Sequence, residues 1–149
     1  KLFGPVVHGH EAHSITSGTW FASGYAIACW LPNPYARIIA LASLGIGDPT
    51  ARYFGRRFGT HRFANGKSWE GLAAAAVASA LVAVGFGLAF AGLTASSVTL
   101  LPLFIACAVG GLSGACAETF IQRLDDNVTV PSAAGLASWI VLAAFGAPV

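Results

Sequence analysis

Charged residues are absent from residues 71–117 and again from residues 127–149. A polar run at residues 94–99 divides the first stretch into residues 71–93, 23 uncharged positions, and residues 100–117, 18 positions. A helix of 23 residues rises about 34 Å, enough to cross the hydrocarbon core of a bilayer. Residues 128–147 supply a third apolar span of 20, with Pro131 in its first turn, where proline is tolerated. Ahead of these, residues 14–31 and 34–47 predict two shorter spans, separated by the turn Pro32-Asn33-Pro34. Asp48 followed by Pro49 predicts a cap and first turn, hence a short surface helix from Pro49 to about Phe58. The pattern thus predicts an all-α, polytopic transmembrane bundle of about five spans, one domain over residues 1–149.

Composition supports the membrane class. The chain is 56% apolar and 9% charged, with a mean hydropathy of +0.70, whereas a soluble domain carries about 25% charged residues. Fourteen charges cannot cover a soluble protein of 149 residues, which argues against a water-soluble enzyme, a disordered chain and a nucleic-acid binder. A net charge of +2 is too small to point to nucleic acid. Cys29, Cys107 and Cys116 lie in apolar runs without CxxC spacing and read as small buried side chains. The sequence starts at Lys1 and contains no Met, so it reads as processed, trimmed or a fragment, either with its start missing or as a minimal form.

The charges cluster. Five Lys/Arg lie between Arg52 and Lys67, and such a block is expected on the cytoplasmic side. Counting crossings from it places Glu118, Arg123, Asp125 and Asp126 on the same face. The segment with His8, His10, Glu11 and His13 falls there too, so the polar groups are expected to form one composite site. Gly110 and Gly114 form a GxxxG that suits close helix packing within the bundle, with a homodimer interface as the alternative.

Several motifs could carry chemistry. Asp48 reads either as a helix cap or as a metal- or phosphate-site carboxylate. Arg52 and Arg56 share a helix face with Arg57 beside it, and Gly55 and Gly59 leave room for backbone or ligand. The arginines suit a phosphate cradle or an anchor for lipid headgroups. Gly66-Lys67-Ser68 resembles the end of a Walker loop, but position 61 is His61 and no strand precedes it, so a P-loop is rejected. Lys67 can still bind phosphate as a point charge. Gly45-Ile46-Gly47 lacks the third glycine of a dinucleotide fingerprint, since position 50 is Thr50. The segment from His8 to His13 has Ala12 where a metal-binding HxHxDH motif needs Asp; interfacial histidines, with Glu11 contacting substrate, fit better. Glu118, Gln122 and Asp125 would share one side of a continuing helix. Asp125 and Asp126 repel each other unless a cation neutralises them. An acidic pair beside a basic block suits Mg²⁺-nucleotide chemistry.

In order along the chain stand Gly47-Asp48-x-x-Ala51-x-x-x-Gly55, Phe58-Gly59, Lys67-Ser68-x-Glu70-Gly71, Glu118 and Asp125-Asp126-Asn127-x-Thr129-x-Pro131. Together they resemble the family of dolichol kinases, phytol kinases and CTP-dependent diacylglycerol kinases, more distantly similar to phosphatidate cytidylyltransferases. Glu11 with Ser17-Gly18-Thr19 resembles the family's pre-helix segment. The family's Arg-Lys-x-x-His segment in an earlier helix has no aligned counterpart here. The resemblance implies transfer of the γ-phosphoryl group of CTP, or another nucleoside triphosphate, to a lipid alcohol such as a polyprenol, a phytol-type alcohol or diacylglycerol. Asp48, Asp125 and Asp126 would then hold Mg²⁺, supported by Glu118, and one carboxylate would take the alcohol proton. Arg52, Arg56, Arg57 and Lys67 would hold the triphosphate, with Gly55, Gly59, Ser68, Glu70 and Asn127 completing the nucleotide site. The expected partners are a membrane lipid and a nucleotide, the expected place a cytoplasmic membrane with the site facing the cytoplasm. A phosphatidate cytidylyltransferase-like enzyme and a non-catalytic transport or assembly protein are the rivals. A transporter would need ionisable groups at mid-membrane depth, whereas the charges here fall at span ends.

Overall fold

The computed structural model describes residues 17–94, 99–121 and 123–146. The helices are α1 (Ser17–Cys29), α2 (Pro34–Ala42), α3 (Asp48–Phe58), α4 (Trp69–Thr94), α5 (Leu100–Phe120) and α6 (Asp126–Ala144), with a π-helical turn, Ser43–Gly47, between α2 and α3. Among the described residues there is no strand, only an isolated bridge between Arg62 and Ser68. Of the spans expected from the sequence, α4, α5 and α6 are long and apolar enough to cross a membrane. α1 has 13 residues and α2 has 9.

The Pro32–Pro34 turn forms as expected. Asn33 caps α2, its Oδ1 accepting from the Tyr35 amide at 2.9 Å and the Ala36 amide at 3.3 Å. Pro34 occupies the first turn, where its missing N–H costs nothing. Arg37 Nε donates to the Leu31 carbonyl at 2.5 Å, tying α2 back to the end of α1.

The helix predicted to start afresh at Asp48 does not. Gly47 already has helical angles, φ −59° and ψ −57°, and no side chain caps the turn. α2, the π turn and α3 therefore run on as one helical path from Pro34 to Phe58. Pro49 explains the π turn: within a helix its ring clashes with the carbonyl one turn back and it donates no hydrogen bond. One wider turn before it absorbs that mismatch. Asp48 is thus held inside a helix rather than at a free end.

Small residues let the helices pack closely. A Cβ on Gly110 would stand 2.4 Å from Ile39 Cγ2 and 3.1 Å from the Ala134 carbonyl; one on Gly114 would stand 3.2 Å from Ser43 Cβ. The GxxxG therefore seats α5 against α2, the π turn and α6, inside the bundle. Cys107 is buried in the core beside Ile39, Leu103 and Leu142. Cys116 is half-buried, and Cys29 is exposed, contrary to expectation.

The outside is apolar. Leu81, Phe86, Leu93, Leu101 and Ile140 are all more than 60% exposed. Lipid is the natural solvent for large apolar side chains exposed on long apolar helices. Together with α4, α5 and α6, this surface identifies a membrane protein.

Candidate functional site

α3, the start of α4, the end of α5 and the start of α6 meet at one end of the bundle. They enclose a cleft of about 410 Å³. Arg52, Gly55 and Arg56 line it from α3, Arg62, Lys67 and Ser68 from the α3–α4 connection, Glu118 from α5 and Asp126 from α6.

The connection, residues 59–68, folds as a tight hairpin. The Phe63 amide donates to the Lys67 carbonyl at 2.8 Å, and the Gly66 amide returns to the Phe63 carbonyl at 2.9 Å. Gly66 has φ +83°, a conformation that favours glycine. Asn65 fixes the tip: its Oδ1 accepts from the Lys67 amide at 3.1 Å, and its Nδ2 donates to the Thr119 carbonyl at 2.5 Å. The hairpin is thus pinned to the end of α5, and Lys67 is aimed at the carboxylates.

Asp48, Glu118 and Asp126 each offer a carboxylate oxygen, and these oxygens lie within 4.8 Å of one another. Glu118 is buried. Lys67 Nζ lies 3.4 Å from Glu118 Oε1 and 3.4 Å from Asp126 Oδ2, and also donates to the Glu118 main-chain carbonyl. Arg52 Nε pairs with Asp48 Oδ1 at 2.8 Å, in a geometry that leaves this buried oxygen without an aligned donor. Burial raises the Asp48 carboxyl above its ordinary range; Arg52 pulls it down, and Asp126 pushes it up. Three carboxylates face two cations. That donor set fits a hard, oxygen-bound cation such as Mg²⁺.

The structure brings some of the expected residues together and sets others apart. Asp125, expected on the metal, caps α6 instead: its Oδ1 accepts from the Asn127 amide at 2.9 Å and from Asn127 Nδ2 at 2.7 Å. The reason is local. α5 ends at Phe120 rather than continuing, so Asp125 sits at the cap and Asp126 in the first turn. Glu118, expected in a supporting place, is the third carboxylate beside Asp48 and Asp126. Asn127 is occupied by Asp125 and does not line the cleft.

Glu70 also turns away from the cleft. Its Oε1 accepts from Thr60 Oγ1 at 2.7 Å and from the His61 amide at 3.1 Å, and lies 2.9 Å from His61 Nδ1. It ties the base of the hairpin to α4. Arg57 lies outside the cleft, its guanidinium 5.7 Å from the Phe58 ring centre. The room left by Gly55 and Gly59 is taken by the protein itself. A Cβ on Gly59 would stand 2.2 Å from the Gly55 carbonyl and 2.8 Å from Ser68 Oγ. Ser68 Oγ accepts from the Gly71 amide at 3.1 Å, starting α4. Glu11, Gln122 and the histidines at 8, 10 and 13 lie outside the described residues.

Asn65, Thr60 and His61 did not stand out in the sequence as site residues. Asn65-Gly66 is a recognised hairpin dipeptide and could have been found; the Thr60–His61–Glu70 contacts carry no such mark. Comparison of this chain with protein-family models, curated proteins and solved structures found no match.

Proposed function

We propose that the protein is an integral membrane lipid kinase that transfers the γ-phosphoryl group of CTP, or another nucleoside triphosphate, to a lipid alcohol. The observation that carries this reading is the meeting of Asp48, Glu118 and Asp126, from separate helices, beside a cleft that Glu118 and Asp126 line together with Arg52, Arg56, Arg62 and Lys67. The order of motifs along the chain, which resembles the dolichol kinase and phytol kinase family, supports it.

Phosphoryl transfer asks mainly for positioning and charge neutralisation. Arg56, Arg62 and Lys67 would hold the triphosphate in the cleft. Asp48, Glu118 and Asp126 would hold Mg²⁺, which would supply positive charge against the phosphates. One of the same carboxylates would accept the proton of the attacking hydroxyl. The lipid tail would stay against the apolar outer faces, bringing only its hydroxyl to the end of the bundle. The five Lys/Arg between Arg52 and Lys67 support a cytoplasmic setting for this end, by the positive-inside rule.

The test uses purified protein in detergent with Mg²⁺, a lipid alcohol and CTP labelled at either the α or the γ phosphate. A kinase moves only γ label into the lipid fraction and leaves CDP. If a lipid phosphate takes α label and pyrophosphate is released, the enzyme is a cytidylyltransferase. No transfer from either position, to any lipid alcohol or lipid phosphate offered, contradicts the catalytic reading.

A further inference from the structure

We propose that Lys67 is a resident counter-ion that a divalent cation displaces, so that its ammonium passes from carboxylate to phosphate as the site loads. This deepens the proposed function and rests on its reading of the carboxylates as a cation site.

The position of Lys67 is the starting observation. Its Nζ stands equally far, 3.4 Å, from Glu118 Oε1 and Asp126 Oδ2. Charge-assisted N–H···O bonds are about 2.7–2.9 Å, so the ammonium bridges the carboxylates without a tight bond to either one; its close hydrogen bond is to the Glu118 main-chain carbonyl. With Arg52 on Asp48 and Lys67 on Glu118 and Asp126, two cationic side chains already stand against the three carboxylates. A divalent cation entering the group would meet the repulsion of both and would compete with Lys67 for the same oxygens.

Lys67 is the side chain able to leave. Arg52 keeps the close pair, 2.8 Å to Asp48 Oδ1, whereas Lys67 stands no nearer than 3.4 Å to either of its carboxylates. Lys67 reaches the carboxylates on a flexible four-carbon stem, and its side chain is 34% exposed where it lines the cleft. Among the described residues, Glu118 and Asp126 are the carboxylates lining that cleft. Once displaced from them, the ammonium stands among Arg52, Arg56 and Arg62, where a polyphosphate is the anion that would receive it. Cation and polyphosphate would therefore favour each other's binding through Lys67, a reciprocal coupling.

The sequence makes the test clean, because Lys1 and Lys67 are its only lysines. The full chain in detergent is treated with an amine-acylating reagent, and modification of Lys67 relative to Lys1 is read by mass spectrometry. Mg²⁺ alone, compared with chelator, is expected to raise Lys67 modification several-fold, and Mg²⁺ with CTP to lower it again. Independently, Lys67→Gln should bind Mn²⁺ about tenfold more tightly than the parent, since a like charge has been removed beside the cation. If Mn²⁺ binds the parent but Mg²⁺ leaves Lys67 no more reactive and Lys67→Gln binds Mn²⁺ no more tightly, displacement is overturned while the cation site stands. If Mn²⁺ binds neither protein, the cation reading itself fails, and displacement with it.

Discussion

Asp126→Asn is expected to lower turnover by a factor of about 10³ or more, while the protein still folds and inserts. Asparagine keeps the shape of the side chain and removes its charge. Asp126 is one of the three carboxylates within 4.8 Å of one another, and its Oδ2 is one of the groups that hold Lys67. The substitution therefore weakens cation binding and frees Lys67 at the wrong moment. Asp125→Asn is the matched control. Asp125 accepts from the Asn127 amide as the cap of α6, and asparagine caps a helix about as well as aspartate. Its activity should stay within a few-fold of the parent. Asp125→Ala should cost about 1 kcal/mol of stability through the lost cap. Steady-state turnover and thermal unfolding of these variants, side by side, check the assignment. Equal losses in Asp125→Asn and Asp126→Asn would put the two neighbours back together as a metal pair.

Gly24→Ala is expected to be the most damaging single methyl in the bundle. A Cβ at Gly24 would stand 1.8 Å from the Asn127 carbonyl oxygen and 2.9 Å from its carbon. Both atoms are backbone and cannot turn aside, so α1 must move away from α6. Such overpacking costs about 1–3 kcal/mol and should appear as a lower midpoint of thermal unfolding in detergent. It should also reach the site, because Asn127 directly follows Asp126 and partners Asp125 in the first turn of α6. Nucleotide binding is therefore expected to fall together with stability. A Gly24→Ala protein as stable as the parent would mean that α1 does not dock on α6 at this point.

The long apolar spans are legible in the sequence because charge is absent from them over whole helix lengths. The small residues at 110, 111 and 114 are legible as packing positions for the same reason that they pack: a glycine on a helix in lipid leaves room for a neighbouring backbone. The continuity from Pro34 to Phe58 is not legible. Asp48-Pro49 is a strong local signal for a helix start, and only the surrounding bundle, with Gly47 and Ser43 packed in it, holds the helical path through that point. The carboxylate group was readable to the level of its residue types. Which of Asp125 and Asp126 joins it depends on where α5 stops, and helix ends are set by the chain's exit toward α6 rather than by periodicity. Glu118 reaches the centre because it is buried on α5 beside Lys67, a placement that needs the fold. Gly24 is invisible in sequence, since nothing near it hints at the α6 backbone that it admits.

The claim on which everything else depends is that Asp48, Glu118 and Asp126 hold one divalent cation against the phosphates of a nucleotide in the Arg- and Lys-lined cleft. Mn²⁺ electron paramagnetic resonance on the full chain, with CTP bound and phosphorus couplings resolved, addresses it directly. The account predicts one Mn²⁺ per chain, a phosphorus coupling that reports metal–phosphate contact, loss of protein-bound Mn²⁺ in Asp126→Asn, and retention of it in Asp125→Asn. Protein-bound Mn²⁺ that shows no phosphorus coupling, or that is held equally well without Asp48, Glu118 and Asp126, would contradict it.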